Sequence, residues 1–416
     1  MIADFLIHNT SEVLTCAGPA PRIGPAQADA GSRPHAIVAA RDGVIVFVGD
    51  EDEWRRTGSI AENAVVLDAR GGAVVPGFVD PHTHAVFAGD RRDELRRRLA
   101  GATYAEVAAA GGGIVSSVRA TRAAAADEIV EDTRRRLDEM LRCGTTTCEV
   151  KSGYALTTEG ELKMLRALRS LAASHAIEIA PTFMGAHEIP IEYRDRRDAY
   201  VALVIDEMIP AVARERLAEW CDVFCERGVF TPDESCAILE AGRRAGLKAR
   251  VHADELGASG GSRVAARVGA RSADHLIFVD EASADGLAAA GVVATLLPIA
   301  AFYLKLGRFA PARMLIERGV AVALATDVNP GGGFSPSMPF ALTLACFGMR
   351  LTFEEALVGA TINAAYSIDR HDRVGSLEAG KQMDAVVVDG PAIDLIRVGA
   401  EPIRAVVKKG RVVHAA

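Results

Sequence analysis

His82 and His84 stand two residues apart at the end of an apolar run, in Val74 to Asp90, VVPGFVDPHTHAVFAGD. Side chains two apart on a strand share a face. The spacing therefore predicts two imidazoles side by side at a strand end, half of a tetrahedral or five-coordinate metal site. Of the ten histidines, His187, His252 and His275 also fall at or just after strand-like runs, whereas His8, His35, His175, His371 and His414 do not. Another such run, Val-Ala-Leu-Ala-Thr, ends in Asp327. Three imidazoles and a carboxylate suit a hard-to-borderline divalent ion: Zn2+, Fe2+ or Mn2+. A position left to water makes such a site catalytic, because the bound ion lowers the pKa of its water to about 7. Asp327 is then placed to accept the water's proton while ligating. His275 is placed to orient the water or stabilise an oxyanion, and Glu255, three residues after His252, to carry a proton to a leaving nitrogen. Each residue also has a plainer reading. Asp327 before Asn329-Pro330-Gly331 suits an Asx turn, His275 a core histidine, and Glu255 a helix N-terminus. One metal centre accounts for all of them together.

The elements that must position these groups follow from the pattern of apolar runs. Residues 1–75 read as short strands (5–7, 36–39, 44–48 and 64–67) separated by turn residues, a small antiparallel unit. Residues 16–34, rich in Gly, Pro and Ala without periodicity, read as a loose loop. From Pro76 short apolar strands alternate with helical stretches. Strands are predicted at 77–82, 145–151, 178–185, 221–225, 248–252, 272–275, 292–296 and 322–325, with amphipathic helices such as 127–141 and 234–245 between them. Eight βα units predict a closed (β/α)8 barrel over 76–366, whose functional groups gather at the C-terminal strand ends. Strand texture returns in 367–416, so both chain ends, 1–75 and 367–416, are expected to build one small β-sandwich beside the barrel.

Composition narrows the class. The 416 residues are 50% hydrophobic and 25% charged, with net charge −8 and pI near 5.8. No basic run is interleaved with aromatics, so nucleic acid is not an expected partner. Arg96-Arg97-Arg98 and Arg134-Arg135-Arg136 read as solvated helix faces. No apolar run reaches the ~20 residues that span a bilayer, and the N-terminus lacks a basic signal-peptide region. Seven cysteines in a chain of this length are not a disulfide framework. These features point to a cytoplasmic protein without a membrane partner. Gly111-Gly112-Gly113, before a helical stretch, reads as a flexible turn, and no nucleotide-binding fingerprint accompanies it. Two-fold dimers are the commonest assembly, so a homodimer is expected.

At this point the chain resembles the amidohydrolase superfamily and, within it, the imidazolonepropionase family. The resemblance is carried by PGFVDPHTHAVFAGDR, AAGGGIVSSVRATR, TTTCEVKSGY, PTFMGAHEIP, DVFCERGVFT, VHADE, SADHL, LLPIAAFYL and ATDVNPG. It implies one divalent or trivalent metal ion, zinc or iron, held by His82, His84, His252 and Asp327. It also implies a substrate pocket from Arg91, Tyr154, His187 and Glu255, with Asn329 and Gly331 lining the product site. The implied small-molecule substrate is 4-imidazolone-5-propanoate, whose carboxylate suits a planar Arg fork. Its ring amide would be hydrolysed to N-formimino-L-glutamate, a step of histidine degradation. Another cyclic amidohydrolase, or a nucleobase deaminase of the same superfamily, is the competing expectation. Lys151 is not placed to serve as a carbamylated bridging lysine, which favours one metal. The sequence departs from the family at Gly332, where a small hydroxyl residue is usual; a backbone N–H there, or Ser335, would have to serve.

Overall fold

The computed structural model describes residues 1–102, 106 and 112–416, so Gly111 of the glycine run lies outside the described residues. Eight parallel strands form the barrel wall in chain order: Phe78–Asp80, Thr145–Lys151, Glu178–Ala186, Trp220–Cys225, Lys248–Ala253, Ser272–His275, Val293–Leu296 and Val322–Leu324. They are called strands 1 to 8 below. Strand 2 is buried along its whole length, so its sequence TTTCEVK shows no alternation of buried and exposed positions. The helices between them bury one face each. Ala126–Arg142 sinks Ile129, Leu137, Met140 and Leu141 against the wall. Pro232–Arg244 starts on a capping box between Thr231 and Glu234.

Strands 1 and 8 close the barrel without a regular ladder. At the upper end the Asp327 N–H donates to the His82 carbonyl (3.1 Å) and the His84 N–H to that of Val328 (2.9 Å). The Thr326 N–H donates to Asp80 Oδ1 (3.1 Å). At the lower end the Gln27 amide accepts from the Val322 N–H (3.2 Å) and donates to the Val322 carbonyl (3.1 Å), standing in for a missing strand. Residues 16–34 are therefore not a loose loop. They carry the helical turn Gly24–Ala28 and the strand Ser32–Pro34, and buried Gln27 ties them to the barrel seam.

Both termini build the two remaining sheets. A six-stranded sheet runs in the order Arg411–Ala415, Ile403–Lys408, Ala385–Val388, Val74–Pro76, Glu12–Leu14 and Ser32–Pro34. A four-stranded sheet holds Val44–Asp50, Ala36–Arg41, Ile2–His8 and Ser59–Asp68. The N-terminal unit is mixed rather than antiparallel, because Ile2–His8 pairs in parallel with Ser59–Asp68. A helix, Glu51–Thr57, carries the chain from one edge strand, Val44–Asp50, across to the other, Ser59–Asp68, which then pairs beside Ile2–His8. Its start is fixed by the Asp50 side chain, which accepts from the N–H groups of Asp52 and Glu53. Among the described residues no helix is long and apolar enough to cross a membrane.

Candidate active site

Strand 1 ends at Asp80, so His82 and His84 stand beyond the strand rather than on it. Their shared direction comes from the seam bonds of the segment that follows, described above, and from Thr83. The Thr83 hydroxyl donates to the Glu149 carbonyl (2.7 Å), turning this middle residue into the wall and the two histidines toward the mouth. His252 sits within strand 5 and His275 ends strand 6. Asp327 follows strand 8 in left-handed backbone (φ 54°), as do His275 (φ 75°) and Asp254 (φ 50°). Non-glycine residues held there mark sites where the fold imposes direction on a side chain.

Ligand nitrogens of His82, His84 and His252 lie within 4.8 Å of one another. His84 Nε2 and His252 Nε2 face each other at 3.3 Å. Asp327 Oδ1 is 3.6 Å from His82 Nε2 and 3.5 Å from His84 Nε2. His82 Nδ1 lies 2.6 Å from Asp274 Oδ2, and His252 Nδ1 lies 3.1 Å from Asp222 Oδ1. Each aspartate accepts a hydrogen bond from Nδ1–H, which keeps the proton there and leaves the Nε2 lone pair for the centre. Buried His82 Nε2 and Asp327 Oδ1 have no hydrogen-bond partner, an arrangement a bound cation satisfies and bare side chains do not. Burial, reinforced by Lys151 beside His82 and by His187 beside His84, holds both imidazoles well below their usual pKa, in the neutral form that ligates. Burial and the neighbouring Glu255 hold the Asp327 carboxyl well above its usual range while no cation offsets them.

Beneath the histidines lies a web of buried charge. Lys151 Nζ is 2.8 Å from both Glu149 Oε1 and Asp222 Oδ2, and 3.9 Å from Asp274 Oδ2. Arg250 Nη2 is 3.3 Å from Asp274 Oδ2. Burial would raise the Asp222 carboxyl, but Lys151 and His252 outweigh it and hold it well below the usual range.

A cavity of about 550 Å³ opens over the centre and is lined by His84, Arg91, Tyr154, His187, His252, Glu255, His275, Asp327, Asn329, Gly331 and Gly332. His187 stacks on His84 (ring centroids 4.9 Å, 18°) and bonds through Nδ1 to the Gly153 carbonyl (3.0 Å). Burial, with His252 nearby, lowers its pKa to about 3, so it is neutral and presents Nε2. Glu255 Oε1 lies 3.6 Å from His275 Nδ1, and burial with Glu226 beside it pushes the Glu255 carboxyl up to about 8. Arg91 lies over Gly331, where any Cβ would stand 2.2 Å from Nη1. The Asn329 amide builds the turn: Oδ1 accepts from the N–H groups of Gly331 (2.8 Å) and Gly332 (2.6 Å), and Nδ2 donates to the Asp327 carbonyl (2.7 Å). Gly332 lines the cavity against Leu304.

Two arginines read as solvated helix faces are not so. Arg98 reaches the cavity and donates to the Gly331 carbonyl (2.7 Å). Arg136 donates to the carbonyls of Ala85 (2.9 Å) and Phe87 (2.8 Å) and lies 3.4 Å over the Phe87 ring. Sequence reasoning also missed Lys151, Asp222 and Asp274 as supports of the centre. A signal was available for Asp222, a charge within the otherwise apolar WCDVFC, but not for Lys151 and Asp274, whose strands TTTCEVK and SADH are polar themselves.

The sequence profile of the amidohydrolase family matches residues 73–414. The chain is 51% identical to the imidazolonepropionase of Symbiobacterium thermophilum, over 99% of this chain and 97% of that one. It is 46% identical to the imidazolonepropionase of Geobacillus kaustophilus, over 98% and 97%. Among solved structures, an adenosine deaminase from Xanthomonas campestris with bound zinc superposes with a TM-score of 0.72 at 20% identity, covering 99% of this chain and 93% of that one.

Proposed function

We propose that this chain, which belongs to the amidohydrolase family and is similar over its full length to imidazolonepropionases, hydrolyses the ring amide C–N bond of 4-imidazolone-5-propanoate to N-formimino-L-glutamate. The observation that carries the reading is one cavity with a His–Asp cluster at its floor and the Arg91 guanidinium at its rim. A planar fork suits the propanoate carboxylate. Relatives named for this activity at 43–51% identity support it.

His82, His84, His252 and Asp327 would hold one metal ion. Nitrogen-rich ligation favours zinc or iron over calcium or magnesium. When bound, such an ion lowers the pKa of a water and polarises a carbonyl. Asp327 accepts the proton of the attacking water at Oδ. Glu255, protonated in its buried setting, delivers a proton to the departing ring nitrogen. Neutral His275, with Tyr154, donates toward the developing negative charge, while His187, whose Nδ1–H is given to the Gly153 carbonyl, accepts from a ring N–H at Nε2. Gly332, where a hydroxyl is usual in the family, lines the cavity with its own N–H donated to Asn329 Oδ1.

All seven cysteines are unpaired thiols, which supports a reducing, cytoplasmic setting. A homodimer is proposed on the general prevalence of two-fold assemblies alone. The test is turnover of 4-imidazolone-5-propanoate by the metal-loaded chain beside a panel of nucleobases. Formation of N-formimino-L-glutamate is expected; deamination of a nucleobase with no ring opening of the imidazolone would overturn the proposal.

A further inference from the structure

Arg91 does not stand alone at the cavity rim. Its Nε donates to Glu94 Oε2 at 2.7 Å, and both side chains are mostly buried, 13% and 11% exposed. The other carboxylate oxygen, Oε1, accepts from the Gly113 N–H (2.8 Å) and the Ser116 hydroxyl (3.1 Å). Glu94 therefore joins the guanidinium to the first turn of the helix Ile114–Ala123. Gly113 precedes that helix at φ 74°, a backbone conformation glycine adopts without strain, and this turns its N–H onto the carboxylate. The sequence had left the glycine run without a role. The remaining face of the guanidinium is set by Gly331, whose missing Cβ leaves room for Nη1, and the Gly331 carbonyl is itself held by Arg98.

We infer that Glu94 is a positioning residue, which clamps Arg91 at Nε so that the two terminal nitrogens meet the substrate carboxylate as a pre-aligned fork. The physical reason is satisfiability. A carboxylate has two acceptor oxygens and serves Arg91 with one and the helix start with the other. An amide of the same shape has one acceptor, so Glu94→Gln must release either Arg91 or Gly113. An unclamped arginine loses side-chain freedom when it binds, and that loss weakens the complex. The inference deepens the carboxylate-clamp part of the proposed function and rests on that reading of Arg91.

The test is binding rather than turnover, so that it stands apart from the catalytic claim. Calorimetric titration of the metal-loaded chain with 3-(imidazol-4-yl)propanoate, which carries the carboxylate but no ring amide, reads the clamp directly. We expect Glu94→Gln to weaken binding about tenfold, the scale of one charge-assisted hydrogen bond. In an Arg91→Ala background the same substitution should add nothing, because Glu94 acts through Arg91. Equal losses in both backgrounds, or unchanged affinity in the single variant, overturn the inference. Should Glu94→Gln fail to fold, Arg91→Lys keeps the charge but cannot be gripped at Nε while presenting a fork. Affinity as poor as that of Arg91→Ala supports the clamp; near-normal affinity overturns it. Wild-type protein that binds this probe but leaves 4-imidazolone-5-propanoate intact would refute the activity while leaving the clamp measured.

Discussion

Asp274→Asn separates support of the metal centre from general stability. Asp274 Oδ2 accepts from His82 Nδ1 at 2.6 Å and from Arg250 Nη2 at 3.3 Å. Both donors share this one oxygen, so an asparagine amide oxygen in its place still meets both, but as a neutral acceptor in place of a charged one. The Nδ1 proton is then held less firmly, and the imidazole is a less basic ligand at Nε2. Outer partners of ligating histidines are worth about 10–100-fold in metal affinity, or ~1.4–2.7 kcal/mol. The opposing effect is loss of a buried charge. Lys151 and Arg250 face Glu149, Asp222 and Asp274, so two cations and two carboxylates remain after substitution. That balance argues against the ~3–5 kcal/mol typical of an orphaned buried charge. The expected result is a metal Kd weakened at least tenfold in competition with a chromophoric chelator, while the melting temperature of the metal-free chain moves little. A Kd within about threefold of wild type would refute the carboxylate's part in tuning His82.

Three further outcomes follow from the same geometry. Asp327→Asn should bring turnover below detection while circular dichroism and the melting temperature stay near wild type, since its Oδ1 faces the cluster and no protein donor; substantial residual kcat would contradict its role. Gly331→Ala places a methyl group 2.2 Å from Arg91 Nη1, so KM should rise about tenfold with metal content unchanged; an unaltered KM means the carboxylate binds elsewhere. Glu255 gives a pH signature in the metal-free chain, because burial and Glu226 raise its folded pKa from 4.5 to about 8. Between those values the folded chain keeps a proton that the unfolded chain has released, so stability falls as pH rises, by up to about 1.4 kcal/mol per unit. Glu255→Gln should flatten that fall in urea melts from pH 5 to 8; parallel curves for the two proteins would show that the carboxyl is not held up by its setting.

The barrel was legible because its strands are buried on both faces and its helices on one, and each leaves a distinct period in the sequence. Strands such as Thr145–Lys151 and Ser272–His275 coincide with their expected bounds. Convergence of His82, His84, His252 and Asp327 was also readable, since a parallel barrel sends every C-terminal strand end to one mouth. Failures came where local texture is ambiguous. Arg98 and Arg136 sit beside other arginines and nearby acids, a pattern that looks the same whether a helix faces water or leans over a loop. The Gly- and Pro-rich stretch around Gln27 has no period because its bonds go to Val322, 295 positions away. Pairing of Ile2–His8 with Ser59–Asp68 depends on a seven-residue crossover helix too short to announce itself.

The charge web under the histidines also bears on how many ions the centre takes. A lysine at the end of a barrel strand becomes a bridging ligand for two metals only if its amine is carbamylated and reaches the mouth. Lys151 does neither: its Nζ lies at 2.8 Å between Glu149 and Asp222, fully buried. Burial would strip its proton, yet those two carboxylates outweigh burial and raise its pKa. A charged amine is no nucleophile toward CO2, which argues against such a bridging group. The same ammonium keeps Asp222 ionised, and ionised Asp222 keeps the His252 proton on Nδ1. One residue thus disfavours a second ion's ligand and supports His252 as a ligand of the first, which is the physical argument for the mononuclear centre proposed above.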